Sequence, residues 1–134
     1  MNTEMRLITF IFLLIAPSFT VANQYFCITE EASGFKYDTD LKKWKPVLIN
    51  SDTKYLVSFK NKTVSKLGED GFEYGKCEIF DFKGADNMIC KEDFGEFQMG
   101  AKSLRFLRTL PYYDYAIGEN TSTPQIQIGT CSKF

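Results

Sequence analysis

The chain has no histidine, which removes the commonest general base and the commonest metal ligand together. A serine or cysteine triad of the usual kind is thereby excluded. Carboxylate chemistry stays open through Glu30, Glu31, Asp38, Asp40, Glu69, Asp70, Glu92, Asp93 and Glu96, since a glycosidase needs only two acids at a suitable separation. A carboxylate-dependent hydrolase is therefore one reading. Most of these acids stand in turn-like stretches, where carboxylates are solvated and bond nearby backbone amides, and none is assigned as catalytic. Asp38-Thr39-Asp40 could offer alternate carboxylates to a hard cation, but Lys42 and Lys43 stand where further oxygen ligands are wanted, and no EF-hand glycine or late glutamate follows. Gly68, Gly71 and Gly75 precede no lysine-serine pair or helix start, so they are no phosphate cradle. Neither a metal nor a cofactor is expected.

The cysteines are Cys27, Cys77, Cys90 and Cys131, without a C-x-x-C pair. An even count in an exported chain points to disulfides rather than to metal ligation. Three pairings are open. Cys77 with Cys90 would close a local loop between neighbouring strands and Cys27 with Cys131 would tie the first strand to the last, and this pairing is favoured.

Aromatic residues are the clearest surplus, at 13 Phe, 7 Tyr and 1 Trp. Most are expected in the core, where large rings fill a small barrel. Pro111-Tyr112-Tyr113-Asp114-Tyr115 differs, because adjacent strand residues face opposite sides and Tyr112 and Tyr113 cannot both be covered by one sheet face. Trp44 is bracketed by Lys42, Lys43 and Lys45, and exposed Trp or Tyr beside cations is a recognition composition. Trp44, Tyr112, Tyr113 and Tyr115 are thus the expected binding residues; the alternative is that these rings cap the barrel ends.

The elements that must position these residues read mainly with period two and are rich in Phe, Tyr, Ile, Val and Thr. Strands are expected at 24–29, 35–38, 44–49, 54–60, 63–67, 72–82, 88–91, 94–99, 112–117 and 125–131. Asp38-Thr39-Asp40, Asn61-Lys62, 68–71 and 83–87 supply turns or loops. The 72–82 run is too long for one regular strand, and a break is expected near Gly75. Residues 103–110 fit a strand or a helix, and Pro111 ends that element. In 125–131, Ile126, Ile128 and Thr130 share one side and Gln125 and Gln127 the other. Frequent short strands define an all-β chain with room for one short helix, built as a single antiparallel β-barrel or sandwich of about eight strands and braced by disulfides. A barrel is preferred, because joining the first strand to the last closes a meander.

Residues 1–22 read as a signal peptide: Arg6 precedes an apolar run interrupted by Pro17, and Thr20-Val21-Ala22 offers small residues for cleavage. The remaining 23–134 form one domain without repeat or linker. A periplasmic or secreted location follows, with no stable membrane anchor after cleavage. Acids and bases nearly balance, at 17 and 16, and are interleaved, so no basic stripe exists for nucleic acid. Asn61-Lys62-Thr63 and Asn120-Thr121-Ser122 match the glycosylation acceptor pattern, which matters only in a eukaryotic secretory host.

Cys27, Glu30, Ser33-Gly34-Phe35, Trp44-Lys45-Pro46, Arg105-Phe106 and the ending from Thr123 to Ser132 (TPQIQIGTCS) resemble a group of small exported bacterial proteins without an assigned activity. Ser33-Gly34-Phe35 is also similar to a segment of the periplasmic lysozyme inhibitors, which implies a small disulfide-linked β-barrel. Neither likeness supplies catalytic residues. The leading expectation is an exported, non-enzymatic binding domain whose partner is a protein or an envelope component; a carrier of a small apolar ligand inside the barrel is the alternative beside the hydrolase.

Overall fold

The computed structural model describes residues 23–68, 73–74, 76–92, 95–112 and 114–134. The signal-peptide reading, Tyr113, Gly75 and the acids Glu69, Asp70 and Asp93 lie outside them. Ten strands form one antiparallel sheet: β1 (Gln24–Asp38), β2 (Lys43–Leu48), β3 (Lys54–Ser58), β4 (Thr63–Lys66), β5 (Glu73–Tyr74), β6 (Lys76–Phe82), β7 (Ala85–Glu92), β8 (Gly95–Gly100), β9 (Arg105–Leu110) and β10 (Gln125–Lys133). Their order is β5-β4-β3-β1-β10-β9-β8-β7-β6, with β2 paired to β1 off this path. β5 and β6 lie on either side of residue 75: β5 pairs with β4 and β6 with β7, so together they bridge the seam. Counting them as one stave, the sheet is a nearly closed barrel of eight.

Both favoured disulfides are present. Cys27 and Cys131 face each other in the register of β1 and β10, with Cα atoms 4.0 Å apart. Cys77 and Cys90 do the same on β6 and β7 at 3.9 Å. Two such bonds are consistent with an oxidising, exported environment. Among the described residues no helix is long and apolar enough to cross a membrane.

The expected strands at 24–29 and 35–38 are one strand. The pairing of β1 with β10 slips between Thr29 and Glu31, so Glu30 is the extra residue of a bulge. A single inserted residue reverses the alternation: before it Tyr25, Cys27 and Thr29 are buried, and after it Ala32 is. Phe35 and Tyr37 consequently continue the outer face. Of residues 103–110, which fit a strand or a helix by sequence, 105–110 form a strand, β9, and 103–104 belong to the turn before it. The expected strand at 112–117 is instead a short helix, α1 (Asp114–Ile117); Tyr112 takes a left-handed φ of 46° directly after Pro111, which turns the chain out of the sheet. The loop expected at 83–87 shrinks to a two-residue turn in which Lys83 and Gly84 both have positive φ, the twist that tight hairpins require.

The interior is filled with rings and thioethers. Tyr55, Phe97 and Phe106 pack mutually, with centroids 5.2 to 5.4 Å apart, and Met88 and Met99 are buried with them. Such ring pairs contribute roughly 0.5–1.5 kcal/mol each beyond area burial. Gly129 makes room for this packing: a Cβ there would sit 2.5 Å from Phe106 Cε1 and 2.0 Å from the Ile28 carbonyl oxygen. Contrary to the expected core role of most rings, Phe80 and Phe82 are exposed, because β6 turns Cys77 and Ile79 toward the core instead. On β10 the isoleucines are the outward side: Ile126 and Ile128 are half exposed while Gln127 is 4% exposed.

Gln127 is satisfied inside by a polar chain. Arg108 Nε and Nη2 donate to the two carboxylate oxygens of Glu92, each at 3.1 Å. Arg108 Nη1 donates to the Tyr55 hydroxyl at 2.9 Å, which donates to Gln127 Oε1 at 2.7 Å. Gln127 Nε2 in turn donates to Gln125 Oε1 at 3.2 Å. Burial pushes the Glu92 carboxyl above its usual range, while the hydrogen bonds and charge of Arg108 pull against it.

Candidate functional site

The pole of the barrel at which β9 ends and β10 begins carries an overhang. β1 pairs with β10 only as far as Gly34 opposite Gln125, and beyond it continues in a hairpin with β2. The junction is tight: a Cβ on Gly34 would meet the Pro124 carbonyl oxygen at 2.1 Å, and the Phe35 amide donates to that same oxygen at 3.0 Å. Glycine is what lets the two backbones touch there.

The hairpin has two faces. Phe35 pairs with Pro46 and Tyr37 with Trp44, while Lys36 pairs with Lys45 and Asp38 with Lys43. Strand alternation therefore puts the rings and the proline on one side and the charged residues on the other. The Ile49 amide bonds to Ala32 of β1, so by alternation Lys45 and Val47 also turn their amides to β1, and Pro46 lies at a position facing the open edge. A proline there withholds a donor from any incoming strand.

At the hairpin tip, Asp38 Oδ1 accepts from the amides of Asp40 and Leu41 at 3.0 and 2.9 Å, the turn expected from the sequence. Its Oδ2 lies 2.6 Å from Lys45 Nζ. The Lys45 hydrogen bond first, and then those amides, hold the Asp38 carboxyl below the usual carboxylate range. A lowered folded pKa contributes stability present above the unfolded pKa and lost as pH falls through the folded one. Emission of Trp44, the single tryptophan, is accordingly expected to hold steady down to about pH 4, the ordinary carboxylate value, and to change below it. Asp38→Asn should show the acid-form spectrum already at neutral pH; identical spectra for the two proteins at pH 7 would contradict the link between this turn and Trp44.

Trp44 meets Tyr37 at 5.7 Å and Tyr115 at 5.5 Å between ring centroids, both edge to face, with interplanar angles of 65° and 75°. Trp44, Tyr112 and Tyr115 line one concavity of about 520 Å³ with Phe35, Pro111, Ala116 and Pro124. Phe35, Pro111 and Pro124 also border a second concavity of about 570 Å³ that runs along Ser33, Gly34, Pro46, Val47, Leu48, Thr109, Gln125 and Ile126. Three of the four expected binding residues thus share one groove on the outer wall; Tyr113 is outside the described residues. Sequence reasoning missed Phe35, Leu48, Pro111, Pro124 and Ile126. The available signal was Pro111 and Pro124, which bracket the Tyr112–Tyr115 segment at strand ends, with Pro46 two residues from Trp44.

Among the described residues the candidate acids are engaged separately. Asp38 is held by Lys45 and Glu92 by Arg108, and Glu30 Oε1 accepts from Thr130 Oγ1 at 2.6 Å. Among the described residues no group of three acids or cysteines could hold a metal ion.

Fold and site together define a disulfide-braced antiparallel barrel of eight staves with an aromatic and proline-rich groove beneath an overhanging hairpin. Comparison with protein-family models, with curated proteins and with solved structures returned no match.

Proposed function

We propose that this protein is an exported, non-enzymatic binding domain that contacts its partner through the groove beneath the β1–β2 hairpin. The observation that carries this reading is the convergence of Trp44 with Tyr112 and Tyr115, about seventy residues further along the chain, around one concavity. Clustered Trp and Tyr in a solvent-facing cleft are the residues that dominate binding energy at protein interfaces. The aromatic and thioether core supports contact on the outer wall rather than carriage of a ligand within, and the pairing of Asp38 with Lys45 and of Glu92 with Arg108 favours binding over hydrolysis.

The test is capture from extracellular or periplasmic extract on the immobilised protein. A purified lysozyme is added as the first defined candidate, given the likeness of Ser33-Gly34-Phe35 to the lysozyme inhibitors. Trp44→Ala with Tyr115→Ala should weaken capture at least tenfold, the effect of truncating two interface anchors, while leaving the thermal unfolding of the barrel in place. Undiminished capture by the folded double variant refutes the groove as the contact surface.

A further inference from the structure

We propose that the outer wall around β10 pairs with the same wall of a second copy of this chain, forming a two-fold dimer. The first observation is the inverted alternation of β10. A sheet face that meets only water is normally polar, yet β10 turns Gln127 inward and Ile128 outward, the latter 46% exposed. Its register neighbours extend the apolar surface. Leu107 on β9 stands opposite Ile128, and Ile28 on β1, 43% exposed, stands opposite Thr130. Ile89 on β7 lies one strand beyond Gln98, the β8 partner of Leu107. With Phe80 of β6, Ile89, Leu107 and Ile128 line a hollow of about 550 Å³. An exposed apolar surface with a polar rim marks an interaction site.

Charge identifies the occupant. Arg105 on β9 is the register partner of Thr130. Glu30 takes the β1 side, where its Oε1 accepts from Thr130 Oγ1 at 2.6 Å. Both side chains are exposed, and both residues line the hollow with Leu107 and Ile128. β10 therefore runs between a guanidinium and a carboxylate, carried by strands roughly 10 Å apart at about 4.8 Å per spacing. Neither group enters an ion pair among the described residues. The carboxylate owes its place to the bulge in β1: Glu30 is the residue that β10 skips, and bulges re-aim side chains.

This arrangement is self-complementary. A two-fold axis lying along β10 sets the β9 flank of one copy against the β1 flank of the other. Arg105 of each copy then meets Glu30 of the other, one pair on either side of the axis, while Ile128 packs against its own counterpart on it. Thr130 engages Oε1 of the carboxylate, and Oε2 serves the incoming guanidinium. A wall of one sign would repel its own copy and call for a partner of the opposite sign. A wall with both signs at matching distances from its midline fits itself.

The experiment is sedimentation equilibrium of the purified protein and of three variants at these exposed positions, with thermal unfolding as the check that each is folded. The wild-type chain should dimerise, with a dissociation constant that rises with added salt. Arg105→Glu and Glu30→Arg should each weaken dimerisation by about tenfold or more, since each sets like charges against one another across the contact. The two variants mixed in equal amounts should regain the wild-type affinity, because each supplies the charge that the other has lost. An ion pair closed within one chain would give no such rescue. Ile128→Ser should weaken the dimer without lowering the unfolding temperature of the monomer. A monomer at every concentration up to about 1 mM, a dimer that the charge variants leave unchanged, or a mixture no tighter than its components overturns the proposal.

Discussion

Replacing Cys27 and Cys131 together by alanine is expected to lower the unfolding free energy by about 4–5 kcal/mol, more than the loss from removing the second bridge. The reasoning is chain entropy: the bond closes a sequence separation of 104 residues, and a loop of about 100 residues is worth nearly 5 kcal/mol against about 3 for a loop of 15. The Cys77–Cys90 bond closes only 13. Cys27 is also fully buried, so alanine there adds a small cavity cost. Domains of this kind hold roughly 5–15 kcal/mol in total, which puts the Cys27→Ala, Cys131→Ala variant near the limit of folding at 37 °C. Urea titration of both double variants checks the order, and an equal or reversed loss contradicts it.

Arg108→Met is expected to cost about 3–5 kcal/mol at neutral pH, since one partner of a buried ion pair is left uncompensated. The pair is closed off, with Arg108 and Glu92 side chains 8% and 10% exposed. The pH dependence follows from the sign of the Glu92 shift. A carboxyl whose folded pKa is raised contributes its stabilisation below the unfolded value and loses it as pH rises through the folded value. Removing Arg108 takes away the two influences that oppose burial, so the folded pKa rises further. The variant should therefore recover part of its deficit relative to wild type when the pH is lowered from 7.5 to 5. Adding Glu92→Leu should restore most of it at pH 7.5, because an apolar pair of similar volume can replace a buried salt bridge. A deficit that is the same at both pH values, or that deepens in acid, contradicts this account.

Much of the frame is legible in the residues. Period-two alternation in 54–60 gives buried Tyr55, Val57 and Phe59, and cysteine positions give both bridges because each pair faces across neighbouring strands. What escapes is phase. Nothing in the spacing of β1 announces that Glu30 is skipped by its partner, yet that skip decides that Phe35 and Tyr37 join the outer wall. The two sides of β10 can be listed from sequence, but hydropathy assigns them backwards: Gln127 goes inside because Tyr55 and Arg108 meet it there, and pairs of this kind are set by tertiary partners far along the chain. The segment 112–117 misleads for a related reason, since tyrosine's strand preference yields to the backbone reversal at Tyr112 that follows Pro111. Trp44 and Tyr115 can each be named as exposed rings, but their meeting depends on how far the hairpin overhangs β10.

Because Cys27 on β1 sits opposite Cys131 on β10, and the Phe134 amide reaches the Gln24 carbonyl at 3.2 Å, residues 23 and 134 leave the barrel side by side. Pro111, Pro124 and the overhanging hairpin occupy the other pole. Anything joined to either tail, whether a surface tether, a reporter or a second module, hangs from the end remote from the groove. Two such attachments would project as neighbours with the mouth of the groove still open to the surroundings.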